Sequence, residues 1–143
     1  MIEEDLRTYL ATLLPTVPVD LSATPIEKGR VSQSQPSPRV HFQRAESNRD
    51  VDLSGSGMLY ETAFDVEVGA VNDDPTCQTI AEALKEGQTG AGGLNGYRGA
   101  MGGNFCHGAF VSDHADDYEP KLLDADDGWN IAAFRVLVIH QSA

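Results

Sequence analysis

The sequence predicts a single α+β domain in which two helices pack on a mostly antiparallel sheet of about four strands, with long mobile loops. Two segments have apolar residues at helical spacing, and four others show the patterns of strands. The 143 residues, 41% hydrophobic and 22% charged, have the composition of a globular chain. Folding would bury about two-thirds of the unfolded surface, so residues 1–143 are assigned to one domain.

The first predicted helix covers residues 2–13 and is followed by a long connection. Acidic residues in its first turn favour the positive end of the helix dipole. Pro15 and Pro18 end the helix, and the proline-rich stretch 14–37 has a length that is usually functional or mobile. The apolar positions of the helix are Ile2, Leu6, Tyr9, Leu10 and Leu13.

Two strands are predicted next, over residues 39–44 and 58–68, with the polar residues 46–57 between them. The first alternates weakly. In the second, acidic side chains alternate with mostly apolar ones, which predicts one face on the core and one in water. The residues of the predicted core face are Tyr60, Thr62, Phe64, Val66 and Val68.

A second helix is predicted to begin with Asp74 as N-cap and Pro75 in the first helical position, and to end at Gly87. Eight of the 17 residues from 87 to 103 are glycine, which predicts a flexible loop or hairpin that orders against a partner. The apolar positions of this helix are Cys77, Ile80, Ala81 and Leu84.

Two further strands are predicted at residues 105–111 and 129–140, on either side of an acidic loop at 113–127. The last strand has apolar residues on both faces, which predicts a central strand that is covered on both sides. The residues assigned to the core rather than to function are Phe64, Val66, Trp129 and Leu137, with an interface role for Trp129 as the alternative.

The charge disfavours one class of function. Ten Lys and Arg residues against 22 Asp and Glu residues give a net charge of −12, whereas gripping a nucleic-acid backbone requires clustered cations. The N-terminus is not that of a signal peptide, and the apolar stretch 131–139 is too short for a membrane span. We expect a soluble protein made in a reducing cytoplasm, with Cys77 and Cys106 as buried thiols rather than a disulfide.

The sequence contains no convincing catalytic motif. We therefore predict no catalytic residue, no cofactor and no metal site, and no enzyme. The glycine-rich segment lacks both the Gly-Lys of a phosphate-binding loop and the third glycine of a dinucleotide-binding fingerprint. Gly55-Ser56-Gly57 lacks the wider frame of a nucleophile elbow. The four histidines are scattered, with no spacing typical of zinc ligands.

The acidic loop leaves one alternative open, a small metal-binding or metal-dependent hydrolytic domain. Counted from Asp124, its spacing fails the pattern of an EF-hand, because glycine falls at position 5 and Arg135 at position 12. A solvated acidic surface is the simpler interpretation. The residues that would serve the alternative are Asp113, His114, Asp116 and Asp117.

The charges are also unevenly distributed along the chain. Residues 28–49 hold five cations, whereas residues 113–127 hold seven acids. Opposite patches on one domain suit head-to-tail association of copies, which gives a ring if the rotation closes. Two solvated surfaces would explain the same charges equally well.

Three stretches resemble the tail terminator, or tail-completion, proteins of long-tailed bacteriophages and related prophage particles. One is the N-terminal helix with its proline-rich passage into a strand. The likeness covers residues 1–15 and 58–140, while residues 16–57 and the glycines of 87–93 depart from it. The other two stretches are Ala81-Glu-Ala-Leu84 leading to Leu94-Asn-Gly-Tyr-Arg-Gly99, and Phe110-Val-Ser-Asp113 followed by Asp116-Asp-Tyr-Glu-Pro120 and Ala133-Phe-Arg-Val136.

The resemblance implies a structural virion protein without chemistry or cofactor. Members of this family form a homo-oligomeric ring, usually a hexamer, that caps the tail tube and docks to the head. The implied partners are further copies, the tail tube protein and the head-side connector or stopper protein, with no membrane. DNA would pass through without specific binding. The protein would lie in the tail or neck of the virion, and in the host cytoplasm before assembly; a head-side stopper or adaptor of the neck is the alternative.

Segments 20–38 and 87–103 are expected to order on contact with the tube or connector. Three arginines are the candidates for contacts to acidic residues of a neighbouring subunit. Two tyrosines and three acidic residues are further candidates for the subunit interface. The interface candidates are Arg39, Arg44, Tyr97, Arg98, Asp116, Asp117, Tyr118 and Glu119.

Overall fold

The computed structural model describes residues 2–16, 20–29, 37–51, 58–87, 92–121 and 124–142, with the backbone alone at 46–51, 58, 119–121, 124–127 and 142. Parts of the predicted connection 14–37 and of segments 46–57 and 87–103 lie outside the described residues. The elements are α1 (Ile2–Leu13), β1 (Ile26–Lys28), β2 (Arg39–Val51), β3 (Met58–Val71), α2 (Asp74–Glu86), β4 (Gly99–Met101), β5 (Asn104–Lys121) and β6 (Asp124–Ser142).

The strands form one mixed sheet of six, in the order β1-β2-β3-β6-β5-β4. β1 pairs parallel with β2, and all the other neighbours are antiparallel. The prediction of a four-stranded sheet is therefore wrong. The two missed strands have three residues each, too few for an alternating pattern, and they lie in the proline-rich and glycine-rich stretches.

The predicted acidic loop at 113–127 is also wrong, because strands run through most of it. β5 and β6 pair from Asn104 opposite Ser142 to Lys121 opposite Asp124, with three irregularities in register. The side chains of residues 112–118 are all exposed, so this part of β5 has no buried face and hence no alternation for the sequence to show.

The first helix is confirmed with the predicted bounds, and its apolar positions lie in the core. Leu6 and Leu10 are completely buried, and Ile2 nearly so. They join one hydrophobic cluster with Ile80 and Leu84 of α2 and with Phe64 of β3. Both helices therefore contribute to the same side of the sheet.

The second helix is confirmed, but its N-cap is Asp73 rather than Asp74. The Asp73 carboxylate accepts hydrogen bonds from the backbone N–H of Thr76 at 3.1 Å and from its hydroxyl at 2.6 Å. The side chain of Asp74, one residue further on, accepts a hydrogen bond from Gln78 instead, at 3.3 Å. The cap lies one residue earlier because the backbone of Asp74 is already helical.

This difference gives a paired test of the cap. Asp73→Ala is expected to lower the free energy of unfolding by about 1 kcal/mol, because it leaves the N–H of Thr76 without its acceptor. Asp74→Ala removes a charge near the helix N-terminus and the exposed hydrogen bond from Gln78, and should cost about half as much. Urea denaturation of both variants measures the difference; equal losses, or a larger loss for Asp74→Ala, would assign the cap to Asp74.

The helix-covered face of the sheet contains most of the core. Thr62, Phe64, Val66 and Val68 of β3 are completely buried, as predicted. Opposite them in β6 lie Val138, Val136, Phe134 and Ala132, also buried. Two buried free thiols complete this core, as predicted: Cys77, whose S–H donates to the Val68 carbonyl at 3.3 Å, and Cys106.

Burial raises the pKa of the Cys77 thiol to about 12 and also raises that of Cys106. Both thiols are therefore protonated and unreactive at neutral pH.

β6 is a central strand, as predicted, but the expectation that both its faces are covered is wrong. Leu137 and Ile139 point away from the helices and are only half-buried, so the assignment of Leu137 to the core holds in part. Among the described residues, no helix packs on this side, which we call the open face. Nor is any helix of the described chain long and apolar enough to cross a membrane.

Candidate functional site

The open face has an apolar half near β4. Ala63, Leu137 and Phe110 stand opposite one another on β3, β6 and β5, with Ile139 two residues along β6. The Phe110 side chain is 52% exposed. Phe105, Phe110 and Tyr118 are the exposed large hydrophobic residues of the described chain, and all of them lie on β5. This strand therefore presents the apolar surface that the fold leaves in contact with water.

The other half of the open face is a charged groove with a cavity of about 640 Å³. His41 Nε2 donates to Glu67 at 2.6 Å, and this hydrogen bond is the main reason that the pKa of Glu67 lies below its usual value. Arg135 donates to both carboxylate oxygens of Asp65, at 2.9 and 3.4 Å. The groove thus contains cations and anions that already pair within the chain.

Arg39 lies beside this groove and is buried in its own chain. Its guanidinium is 3.6 Å from the centroid of the Trp129 ring, a cation–π arrangement, and the two residues are 4% and 1% exposed. Gly69 makes room for this pair, since a Cβ there would lie 3.2 Å from both Arg39 Nε and the Trp129 ring. The assignment of Trp129 to the core is confirmed, and Arg39 is its packing partner.

The other predicted cations lie apart from each other. Arg44 pairs with Glu3 of α1, and its side chain is 41% exposed. Arg98 is exposed in the turn before β4. Tyr97 next to it packs against Tyr9 with ring centroids 4.4 Å apart and the rings tilted by 36°, and burial raises the pKa of Tyr9 to about 12. The structure therefore does not bring the three candidate arginines together.

The acidic candidates lie on the far part of the β5–β6 hairpin, residues 113–121 and 124–133, which we call the acidic ribbon. Asp116 accepts hydrogen bonds from Gln78 at 2.9 Å and His114 at 3.0 Å, and mainly the first of these lowers its pKa. Asp117 is exposed, and the half-exposed Tyr118 ring packs against Gly128. Glu119 lies on the same strand, and its side chain is outside the described part of the chain.

The ribbon does not assemble a metal site from its described residues. His114 Nδ1 lies 2.8 Å from the ammonium of Lys85, and its Nε2 lies against Asp116. Within the described ranges, no group of three or more His, Cys, Asp or Glu residues has the geometry to hold a metal ion.

The sequence did not predict a buried polar chain at the end of the sheet near α1. Asn104 donates to Asp5 at 2.6 Å, so its carbonyl oxygen faces His140 Nδ1 at 3.1 Å. His140 Nε2 in turn accepts from the Thr62 hydroxyl at 2.8 Å, and the ring stacks on Tyr60. The only signal in the sequence was a histidine among the apolar positions of the last strand.

The buried polar chain around His140 makes the stability of the protein depend on pH. Burial is the main cause that lowers the pKa of His140. The nearby Arg44 lowers this pKa further, whereas Glu3 and Asp5 raise it. In the unfolded state His140 has its ordinary pKa of about 6.5, so it takes up a proton at a higher pH than it does in the folded state. Because the unfolded state then holds more protons, stability is fully present above about pH 6.5 and falls as the pH drops below it.

Thermal unfolding between pH 7.5 and 5, a window chosen about His140's ordinary pKa, measures this effect. The wild-type chain should lose thermal stability across the window, whereas His140→Gln should lose much less. His107→Gln removes an exposed histidine and should follow the wild type. Equal slopes for wild type and His140→Gln would show that another group carries the dependence.

Comparisons with known proteins gave no sequence family. No model of a protein family matches the chain, and no curated protein matches it. Among solved structures, it is similar to a chain of the virion of a native gene transfer agent particle, with 15% identity and a TM-score of 0.48. The match covers 96% of this chain and 91% of that chain.

Proposed function

We propose that this chain is a structural virion protein that forms a ring, terminates the tail tube of a phage-like particle and joins it to the head connector. The observation that carries the proposal is a six-stranded sheet with helices on one side, an open face whose half near β4 is apolar, and an acidic ribbon towards one edge. These are the properties of a subunit whose remaining surfaces are covered by assembly.

The open face supports association. Sheets with two apolar faces are normally packed on both sides, and here Leu137, Ile139 and Phe110 remain partly in water. Each would gain about 1–2 kcal/mol on full burial against another protein. A monomeric function gives no reason to keep these apolar side chains on one side of the sheet.

The charges towards the two edges of the sheet favour a ring over a closed dimer. Of the five cations of residues 28–49, Lys28 lies in β1 and Arg39, Arg44 and Arg49 lie in β2, at one edge of the sheet, and the acidic ribbon lies towards the other edge. Complementary patches on opposite sides of a subunit make head-to-tail contacts, which generate rings when the rotation closes. The assignment to the tail rests on the sequence resemblance to tail terminators, and the net charge of −12 suits a conduit through which DNA slides.

Labelling of intact particles tests this function. An affinity tag at the C-terminus, detected with gold in electron micrographs, should mark one site per particle at the junction of head and tail. The head-side stopper predicts the same junction but retention of the label on heads after tails are detached. Label elsewhere, or none on purified particles, would refute a role in the neck.

A further inference from the structure

The acidic ribbon has a strand edge without a partner. The outer edge of β5 is covered at its beginning, because β4 pairs with Asn104–Cys106 and the N–H of Gly96 donates to the Ala109 carbonyl at 2.7 Å. The side chain of Asn95 accepts from the N–H of Val111 at 3.2 Å. From Asp113 to Lys121, no described strand pairs with this edge, and the N–H of Tyr118 donates to the Asp117 carboxylate at 2.8 Å.

On the opposite edge of the sheet, a stretch of the same length has no strand partner among the described residues. β1 pairs with Val40–Phe42, and the N–H of Gly29 donates to the Phe42 carbonyl at 2.8 Å. Beyond that point, from Gln43 to Val51, β2 has no partner on its outer side among the residues that the structure describes. A long free edge of this kind is a template for a strand of another chain.

The strand directions allow these two edges to pair. β3 is antiparallel to β2, β6 to β3 and β5 to β6, so β5 runs opposite to β2. When copies follow one another in the same orientation, β5 of one copy therefore lies antiparallel to β2 of the next. Both free stretches begin at one row, Gln43–Asp65–Arg135–Ser112, and extend from it in opposite directions, so the next copy is displaced along the strands.

The two edges differ in charge. The Gln43–Val51 stretch carries two Arg against two acidic residues, with Lys28 of β1 beside it, whereas the Asp113–Lys121 stretch carries one Lys against four acidic residues. On the first edge Lys28 is exposed and Arg44 partly so; on the second Asp117 is exposed. A two-stranded ribbon is only marginally stable alone, and repulsion among its acidic side chains destabilises it further. Cations of a neighbouring copy would reduce this repulsion.

We infer that the acidic ribbon of one copy docks on the β1–β2 edge of the next copy, pairing the Asp113–Lys121 edge with the Gln43–Val51 edge. This inference deepens the proposed ring and rests on it. The half-exposed Tyr118 lies on the same ribbon, so the docking would cover an apolar side chain as well as open hydrogen-bonding groups.

Charge reversal tests the docking by sedimentation velocity and native mass spectrometry of the full chain. The ribbon variant is Asp117→Lys with Glu119→Lys, and the edge variant is Lys28→Glu with Arg44→Glu. Each is expected to weaken self-association by at least about tenfold. An equimolar mixture of the two should assemble again, because each reversed surface then meets a complementary one.

Controls separate docking from folding. Glu82→Lys with Glu86→Lys makes the same change of charge on the exposed side of α2 and should assemble like the wild type. Because Arg44→Glu also removes the pair with Glu3, Lys28→Glu alone repeats the edge test without touching that contact. Thermal unfolding confirms that each variant is folded.

Two results would overturn the inference: reversed variants that assemble like the wild type, or a wild-type chain that stays monomeric at its highest soluble concentration. Rings that tolerate both reversals would refute the docking and leave the proposed function intact. A chain that proves absent from the head–tail junction would refute the function, whatever the variants do in solution.

Discussion

Gly93→Ala is expected to lower the free energy of unfolding by about 3 kcal/mol, one of the largest effects of a single methyl group in this chain. A Cβ at this position would lie 2.5 Å from the backbone N of Gly87 and 2.7 Å from that of Glu86. These are backbone atoms at the end of α2 and cannot move aside as a flexible side chain does. The new methyl group therefore forces the chain after the helix to shift.

The shift would break the hydrogen bonds that close α2 against the next segment. The N–H of Leu94 donates to the Leu84 carbonyl at 2.9 Å, and that of Asn95 to the Lys85 carbonyl at 2.8 Å. Leu94 is completely buried, so a displaced backbone also disturbs the core. Leu94 and Asn95 are thus hydrogen-bonded to the end of α2, whereas the glycines of 87–103 predict a flexible segment.

Gly92→Ala is the matched control for this prediction. A Cβ at Gly92 would meet nothing within 4 Å, so the substitution should change stability by about 0.5 kcal/mol or less. Urea denaturation of both variants measures the difference. If Gly93→Ala were as stable as Gly92→Ala, the close approach of the chain to the end of α2 would be wrong.

Trp129→Ala is expected to lower the free energy of unfolding by about 3–5 kcal/mol. The indole is 1% exposed, and its removal would leave a large cavity under the Arg39 guanidinium, which lies 3.6 Å from the ring centroid. Gly69 opposite has no side chain with which to fill the space. The loss combines burial of a large aromatic side chain with a cation–π contact.

Phe110→Ala gives the comparison, because it removes an aromatic ring from the same face of the sheet. Phe110 is 52% exposed, so its loss should cost the monomer about 1 kcal/mol or less, while weakening self-association through the open face. Thermal unfolding and sedimentation velocity measure the two effects. A small loss of stability in Trp129→Ala would instead make Trp129 an interface anchor.

The sequence predicted those elements whose burial is periodic. α1 and β3 each bury one regular face, so the spacing of Leu6 and Leu10, or of Phe64 and Val66, was sufficient. β1 and β4 are too short for periodicity and exist because a long neighbouring strand offers them an edge. The acidic part of β5 is a strand because it pairs with β6 in a hairpin, and its exposed residues 112–118 show no alternation from which the sequence could predict a strand.

For the candidate surfaces, the sequence predicted the distribution of charge along the chain but not the individual contacts. The opposite charges of 28–49 and 113–127 were visible in the sequence, and sheet order puts these stretches towards opposite edges. The sequence did not predict that Arg39 would be buried on Trp129, because these residues are far apart in the chain. The polar chain around His140 was missed for the same reason, since Asp5, Thr62 and Asn104 come from three different elements.

Electron microscopy of lysates from a particle that lacks this gene tests the structural role in the tail most directly. DNA-filled heads beside separate tails, some of them overlong, are the result that the proposed terminator predicts. Empty or leaking heads with tails of normal length would move the protein to the head side of the neck. Intact, infectious particles would contradict a structural role in the tail altogether.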